Sequence, residues 1–158
     1  MRCRKITNND HPQPSPAGRV LGLDVGQRRI GVALSDELGW TAQGLTVIQR
    51  QSLEADTARI AALVREHGCQ RIVIGLPRRT DGRLGPEAEA VQAFGRRLEA
   101  VAGVPVVYWD ERFSTAQAEH TLIAAGVRRS RRRQVIDQVA ASVILQAYLD
   151  RQRRETDT

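Results

Sequence analysis

Three short apolar segments follow one another near the start of the chain, and they constrain the fold more than any other feature of the sequence. They span residues 20–25, 30–34 and 44–48. Each has the length of one strand, and the connections between them are short and contain glycine. Because such connections join neighbouring antiparallel strands, the segments predict a three-stranded meander.

After residue 52 the pattern of apolar residues alternates between helix and strand. Helical periodicity and capping signals predict helices over residues 53–66, 86–102, 115–125 and 135–151, and apolar runs predict strands over residues 71–75 and 104–109. Strands that alternate with helices are usually parallel and joined by right-handed crossovers. The sequence therefore predicts an α/β fold with a mixed five-stranded sheet, three antiparallel strands followed by parallel strands, flanked by helices.

The length of 158 residues fits a single domain. Residues 1–17 are polar and contain three prolines, so we expect a flexible N-terminal tail, a domain over residues 18–153 and a short tail over residues 154–158. Cys3 and Cys69 suggest one tail thiol and one buried thiol rather than a disulfide or a metal pair. With no apolar run of about 18 residues, we expect a cytoplasmic protein that does not enter a membrane.

The charge of the chain favours a polyanionic partner. There are 24 basic and 18 acidic residues, which give a formal net charge of +6 and a sequence pI near 10.5. Nucleic acid is such a partner, although excess arginine also occurs as a solvated surface. Aromatic residues make up only 4% of the chain, which argues for recognition of the phosphate backbone rather than stacking on bases.

Three acids are candidates for a metal site. Asp24 lies near the end of the first apolar strand, where a carboxylate is unfavourable unless it is paired or binds a metal. Asp137 falls on the apolar stripe of the last predicted helix, and Glu111 follows the strand over residues 104–109. Taken singly, Asp24 suits a turn cap, Glu111 a surface acid, and Asp137 a first-turn acid favoured by the helix dipole.

Taken together, these acids indicate hard-oxygen chemistry. Three carboxylates without a histidine or cysteine ligand suit Mg²⁺ or Mn²⁺ better than Zn²⁺. Phosphodiester cleavage assisted by two metal ions is a reaction that uses such a set. A basic loop over residues 128–133, with Arg131, Arg132 and Arg133, would then hold substrate phosphates, or else form a solvated charge run.

Four motifs in order carry a family resemblance. They are Gly22-Leu23-Asp24-Val25-Gly26 with Arg29-Ile30-Gly31-Val32-Ala33, then Val73-Ile74-Gly75-Leu76-Pro77 with Asp81-Gly82, then Asp110-Glu111-Arg112-Phe113-Ser114-Thr115, and finally Asp137-Gln138-Val139-Ala140-Ala141 with Ile144-Leu145. Over about residues 20–149 the chain resembles the YqgF (RuvX-like) family of bacterial nucleases. The resemblance implies an RNase H-like fold and divalent-metal nuclease activity in 5′-end maturation of pre-16S ribosomal RNA. The family is also described as Holliday junction resolvases.

The resemblance also implies roles for single residues. Asp24, Glu111 and Asp137 would be the catalytic metal ligands, the same three acids reached above. Arg112, Ser114 and Thr115 would be supporting positions on the substrate side.

Two departures from the family pattern concern basic residues. The family commonly has a neutral Asn or Met ahead of Asp-Gly, whereas this chain has Arg78-Arg79-Thr80, so we expect Arg78 and Arg79 to contact substrate. Arginines 131–133 stand in place of the usual lysine ahead of the last acid, which keeps the charge but changes the donor geometry.

Other functions stay open at this point. A Holliday junction resolvase would act on branched DNA and would need two active sites related by a dyad, hence a homodimer. A non-catalytic RNA-binding module would keep the fold and the basic surface. A phosphate-binding ATPase fold also places Asp-Val-Gly after a strand, but such enzymes close two domains around the nucleotide and this chain has room for one.

Overall fold

A computed structural model describes residues 18–78, 81–110 and 129–157, with the side chains of the last helix described over residues 136–155. These residues form five strands and three helices. In chain order they are β1 (Arg19–Val25), β2 (Arg29–Ser35), β3 (Ala42–Gln49), α1 (Leu53–His67), β4 (Cys69–Leu76), α2 (Pro86–Ala102), β5 (Val106–Asp110) and α3 (Arg129–Asp157). The helix predicted over residues 115–125 lies outside the described residues.

The strands form one sheet in the order β3-β2-β1-β4-β5. β1 and β2 are antiparallel, as are β2 and β3, whereas β4 is parallel to both β1 and β5. The predicted mixed five-stranded sheet is therefore confirmed. Because β1, β4 and β5 run in the same direction, their carboxyl ends meet at one edge, where Asp24 and Asp110 lie.

Local signals in the sequence fix the ends of the first two helices. The Ser52 hydroxyl accepts a hydrogen bond from the Ala55 amide at 3.1 Å and caps α1, which ends at Gly68 with φ of +67°. α2 begins with Pro86 and ends at Gly103, with φ of +75°. Both glycines adopt the left-handed conformation that other residues adopt at a cost, so the predicted helix ends are confirmed.

α1 and α2 cover one face of the sheet. Their apolar residues pack against alternate residues of the strands in a continuous core that includes Leu21, Leu23, Ile30, Val32, Ile72, Ile74, Ile60, Val64, Phe94 and Leu98. Cys69 belongs to the same core, and burial raises the pKa of its thiol to about 11 against a smaller lowering effect of Arg19. The predicted buried thiol is thus confirmed, and it stays protonated at neutral pH.

α3 covers the opposite face. Ala141, Ile144, Leu145 and Tyr148 of this helix form a second core with Ala33 and Val73 of the sheet. Since successive side chains of a strand point to opposite faces, each strand contributes to both cores. The sheet is therefore the middle layer of three.

α3 begins earlier than the sequence predicts. The helix includes residues 129–134, so the prediction of a basic loop over residues 128–133 is wrong and Arg131, Arg132 and Arg133 belong to the first turns of α3. Arginine is a strong helix former, and no glycine or proline interrupts residues 127–157. Apolar periodicity cannot reveal a helical turn that contains no apolar residues. At its other end α3 continues to Asp157, within the predicted tail over residues 154–158.

In the described part of the chain, no helix carries an apolar stretch long enough to cross a membrane.

Candidate active site

Three glycines allow α3 to lie directly on the sheet. A β-carbon added to Gly31 would lie 2.0 Å from the backbone oxygen of Asp137, and one added to Gly22 would lie 2.8 Å from the Leu145 β-carbon. At Gly44 the nearest atom, the Gln138 β-carbon, would be 3.0 Å away. Each of these distances is shorter than an ordinary van der Waals contact. The backbone of α3 at Asp137 is therefore seated on β2 at Gly31.

The same contact brings Asp24 and Asp137 together. In the register of β1 and β2, Asp24 is directly opposite Gly31. Asp24 also shares a sheet face with Gly22, two residues earlier, and Gly22 faces α3. Asp24 thus lies beside Gly31 on the neighbouring strand, and Asp137 lies above Gly31 on α3. The structure brings together these two acids, which are far apart in the sequence.

Arg29 binds one acid of this pair, Asp137. It precedes Gly31 by two residues on β2, so it shares the face covered by α3. Its Nε donates to Oδ2 of Asp137 at 2.5 Å, and the two side chains are 26% and 19% exposed. This is a charge-assisted hydrogen bond in a partly buried place. The sequence gives no signal for this bond, because it depends on strand register and on the packing of α3.

A second ion pair lies at the ends of β4 and β5. Arg78 follows β4, and its Nε is 3.4 Å from Oδ2 of Asp110, the last residue of β5. Its Nη1 donates to the backbone oxygen of Gly82 at 3.0 Å. Arg78 therefore ties the segment after β4 to the strand that leads into Glu111. Its expected contact with substrate stays a prediction.

A third network holds the turn after Asp24 from the opposite side of the sheet. Arg50 donates through Nη1 to the Gly26 backbone oxygen at 2.9 Å, and its Nε lies 3.3 Å from Oδ2 of buried Asp56 in α1. The guanidinium also lies over the ring of Phe94 in α2, 5.3 Å from its centroid. These contacts tie the β1–β2 turn to both helices of the other layer, and the sequence alone gives no sign of them.

The remaining predicted site residues are placed only in part. Arg79, Glu111, Arg112, Ser114 and Thr115 lie outside the described residues. Arginines 131–133 are in the helical turns that precede Asp137. Within residues 18–78, 81–110 and 129–157 there is no group of three or more His, Cys, Asp or Glu arranged to hold a metal ion. Two of the three predicted ligands fall in these ranges, and the third follows Asp110.

A mixed sheet in the order β3-β2-β1-β4-β5, with helices on both faces, places the chain in one class by its architecture, the RNase H-like fold. Solved structures share this fold. RuvC of T. thermophilus in complex with a Holliday junction has a TM-score of 0.56 and 16% identity, over 89% of this chain and 97% of that one. The Holliday junction resolvase of fowlpox virus has a TM-score of 0.53 and 12% identity, over 84% and 98% of the two chains.

Sequence comparison gives the family. Residues 18–151 match the RuvX family model, described as Holliday junction resolvase, and the chain belongs to this family. A relative from Moorella thermoacetica, provisionally named a pre-16S rRNA nuclease, is 59% identical over 133 residues, which are 84% of this chain and 95% of the relative. One from Bacillus subtilis with the same name is 49% identical over 134 residues, or 84% and 97% of the two chains.

Proposed function

We propose that this protein is a divalent-metal-dependent nuclease that cleaves phosphodiester bonds during maturation of the 5′ end of pre-16S ribosomal RNA. The observation that carries the proposal is the meeting of Asp24 and Asp137 at Gly31. Relatives that are 49–59% identical over most of the chain carry the corresponding name. Because ribosomal RNA is made and trimmed in the bacterial cytoplasm, this function would place the protein there.

Asp24, Glu111 and Asp137 would hold Mg²⁺ or Mn²⁺. The donors are carboxylate oxygens, which these hard cations prefer, and the Asp137 carboxylate already attracts a cation in the form of Arg29. Such a metal lowers the pKa of bound water and stabilises the charge that develops on a phosphate. Residues of this chain fix the ligands: α3 seats Asp137 against Gly31, and Arg50 fixes the turn that follows Asp24.

The first turns of α3 would bind the substrate backbone. Arg131, Arg132 and Arg133 precede Asp137 by one to two helical turns, so they belong to the end of α3 that is nearest to the proposed metal site. Phosphates held there would place the neighbouring bond near Asp24 and Asp137. The segments that follow β4 and β5 would contribute to the same surface through Arg78, Arg79, Arg112, Ser114 and Thr115.

Neutralising the start of α3 should reduce the salt dependence of RNA binding. For the triple variant Arg131→Gln, Arg132→Gln, Arg133→Gln we expect the slope of log K against log salt to fall by roughly 2, since each lost phosphate contact removes about 0.7 for single strands. Filter binding of a precursor RNA fragment at several salt concentrations measures this slope.

The matched control removes three arginines from the opposite layer. Arg65, Arg96 and Arg97 are exposed on α1 and α2, so their replacement by glutamine makes the same change in net charge. If both triple variants reduced the slope equally, net charge rather than the start of α3 would determine the binding.

The choice of substrate tests the proposed function directly. With Mg²⁺ or Mn²⁺ we expect the wild-type protein to cut a 16S rRNA precursor fragment that carries its 5′ extension. It should leave intact the same fragment without the extension, as well as a four-way DNA junction. Gel analysis of end-labelled substrates gives the cleavage positions.

The same assay identifies the alternative functions. Symmetric nicking of the junction, without cleavage of the RNA, would assign a Holliday junction resolvase, the activity that the family description names. That activity needs paired active sites, so a dimer in light scattering would accompany it. Binding of RNA without cleavage of either substrate would assign a non-catalytic RNA-binding module.

A further inference from the structure

The bond between Arg29 and Asp137 joins a fixed cation to an acid that the proposed function assigns to a metal ion. Arg29 comes from β2 and Asp137 from α3, and the Gly31 contact fixes these two elements against each other. Both side chains are largely shielded from water, so their attraction is screened less than that of a surface pair. In the metal-free protein the Arg29 guanidinium is therefore already bound to the Asp137 carboxylate.

A divalent ion and this guanidinium oppose each other at Asp137. Asp137 would have to hold the metal ion with the carboxylate that now accepts a hydrogen bond from the Arg29 Nε–H. If Arg29 stays in place, its charge repels the incoming ion at close range, and if it moves away, a charge-assisted hydrogen bond is lost. In both cases the metal ion binds more weakly than it would without Arg29.

Arg29 is also a neighbour of Asp24, the second proposed metal ligand. Asp24 is opposite Gly31, and Arg29 is two residues from Gly31 on the same face, which makes Arg29 the diagonal neighbour of Asp24. Long side chains in that relation can reach each other across a strand pair. A metal ion held by Asp24 and Asp137 would therefore lie close to the charge of Arg29.

We propose that Arg29 competes with the divalent metal ion for Asp137 and thereby sets the metal concentration at which the nuclease becomes loaded. This inference rests on the proposed function, because it takes Asp137 to be a metal ligand. It makes Arg29 a positioning residue that holds Asp137 in the metal-free protein and opposes metal loading. An arginine that only helped to orient Asp137 for the metal would have the opposite effect on affinity.

Mn²⁺ binding by the full chain tests the competition without any cleavage assay. Titrations followed by the electron paramagnetic resonance of free Mn²⁺ should give Arg29→Gln a dissociation constant about three- to tenfold lower than that of wild type, the range expected for removing one neighbouring charge from a partly buried site. Arg29→Lys keeps the charge and should stay within about twofold of wild type. Arg28→Gln, which removes the same charge from the adjacent exposed position, should do the same.

Thermal unfolding supplies a second measurement. In EDTA, Arg29→Gln should have a lower Tm than wild type, because Asp137 loses its partner. Saturating Mn²⁺ should raise the Tm of this variant more than that of wild type. If Arg29→Gln does not unfold cooperatively, Arg29→Met, which keeps an apolar stem of similar length, takes its place in both measurements.

Different results would contradict the competition by Arg29 and the proposed metal site. Equal or weaker Mn²⁺ binding by Arg29→Gln, with wild-type binding intact and lost in Asp137→Asn, would overturn the competition and leave the metal site standing. Wild-type protein that bound no Mn²⁺ would overturn the proposed metal site itself. If Arg28→Gln also bound Mn²⁺ more tightly, net charge rather than the position of Arg29 would explain the effect, and the competition would be overturned.

Discussion

Replacing Asp24 with asparagine should lower metal-dependent cleavage by more than about a hundredfold. Loss of an outer-shell partner of a metal site already costs roughly 10- to 100-fold, and Asp24 is proposed to bind the metal directly. Asparagine keeps the size of the side chain, so the fold should persist. Initial rates on the RNA precursor at saturating Mn²⁺, together with the Tm of the variant, give the activity and the folding separately.

Asp150→Asn is the matched control, because it makes the same substitution on α3. Asp150 lies about 20 Å farther along the helix axis than Asp137 and accepts hydrogen bonds from Gln146 and Arg153. Its cleavage rate should stay within about twofold of wild type. A variant Asp24→Asn that folds and still cuts at the wild-type rate would remove Asp24 from the metal site.

Gly31→Ala should lower stability more than the same substitution at Gly22 or Gly44. Its β-carbon would lie 2.0 Å from the Asp137 backbone oxygen, and helix backbone cannot give way as a flexible side chain does. Overpacking of this kind costs about 3 kcal/mol. In a chain of this length that corresponds to a fall in Tm of about 10 °C, measurable by thermal unfolding.

Gly68→Ala is the control, because it measures the stability lost through backbone conformation alone, without a steric clash. Gly68 has φ of +67°, and a β-carbon there would meet nothing within 4 Å. The left-handed conformation alone costs about 1 kcal/mol for alanine, so this variant should lose far less stability than Gly31→Ala. The reverse order of the two Tm values would mean that α3 does not rest on Gly31.

Much of the fold could be predicted because its signals are local. Gly68, Pro86 and Gly103 mark helix ends by their own conformational preferences. The apolar runs of β1, β2 and β4 are short, as is typical of strands. The start of α3 could not be found in this way, since residues 129–134 are helical without an apolar stripe. Their helical conformation follows from arginine propensity and an uninterrupted chain.

The candidate site was predictable in its acids but not in its contacts. Asp24 and Asp137 stand out because each is a charge in an apolar pattern. Arg29 does not, because its partner is remote in sequence and the pairing depends on strand register and on the glycine beneath α3. Arg50 is hidden for the same reason, since its partners belong to three separate elements.

The order of the elements along the chain has a consequence for biosynthesis. α3 follows every other described element, so it leaves the ribosome after them, yet it supplies both Asp137 and the cover of one sheet face. A nascent chain that ends before residue 129 already has the residues of the sheet and of its α1–α2 layer. It exposes Ala33 and Val73 to water and lacks a proposed metal ligand. The proposed metal site and the burial of that face are therefore completed at the same point of synthesis, by the same helix.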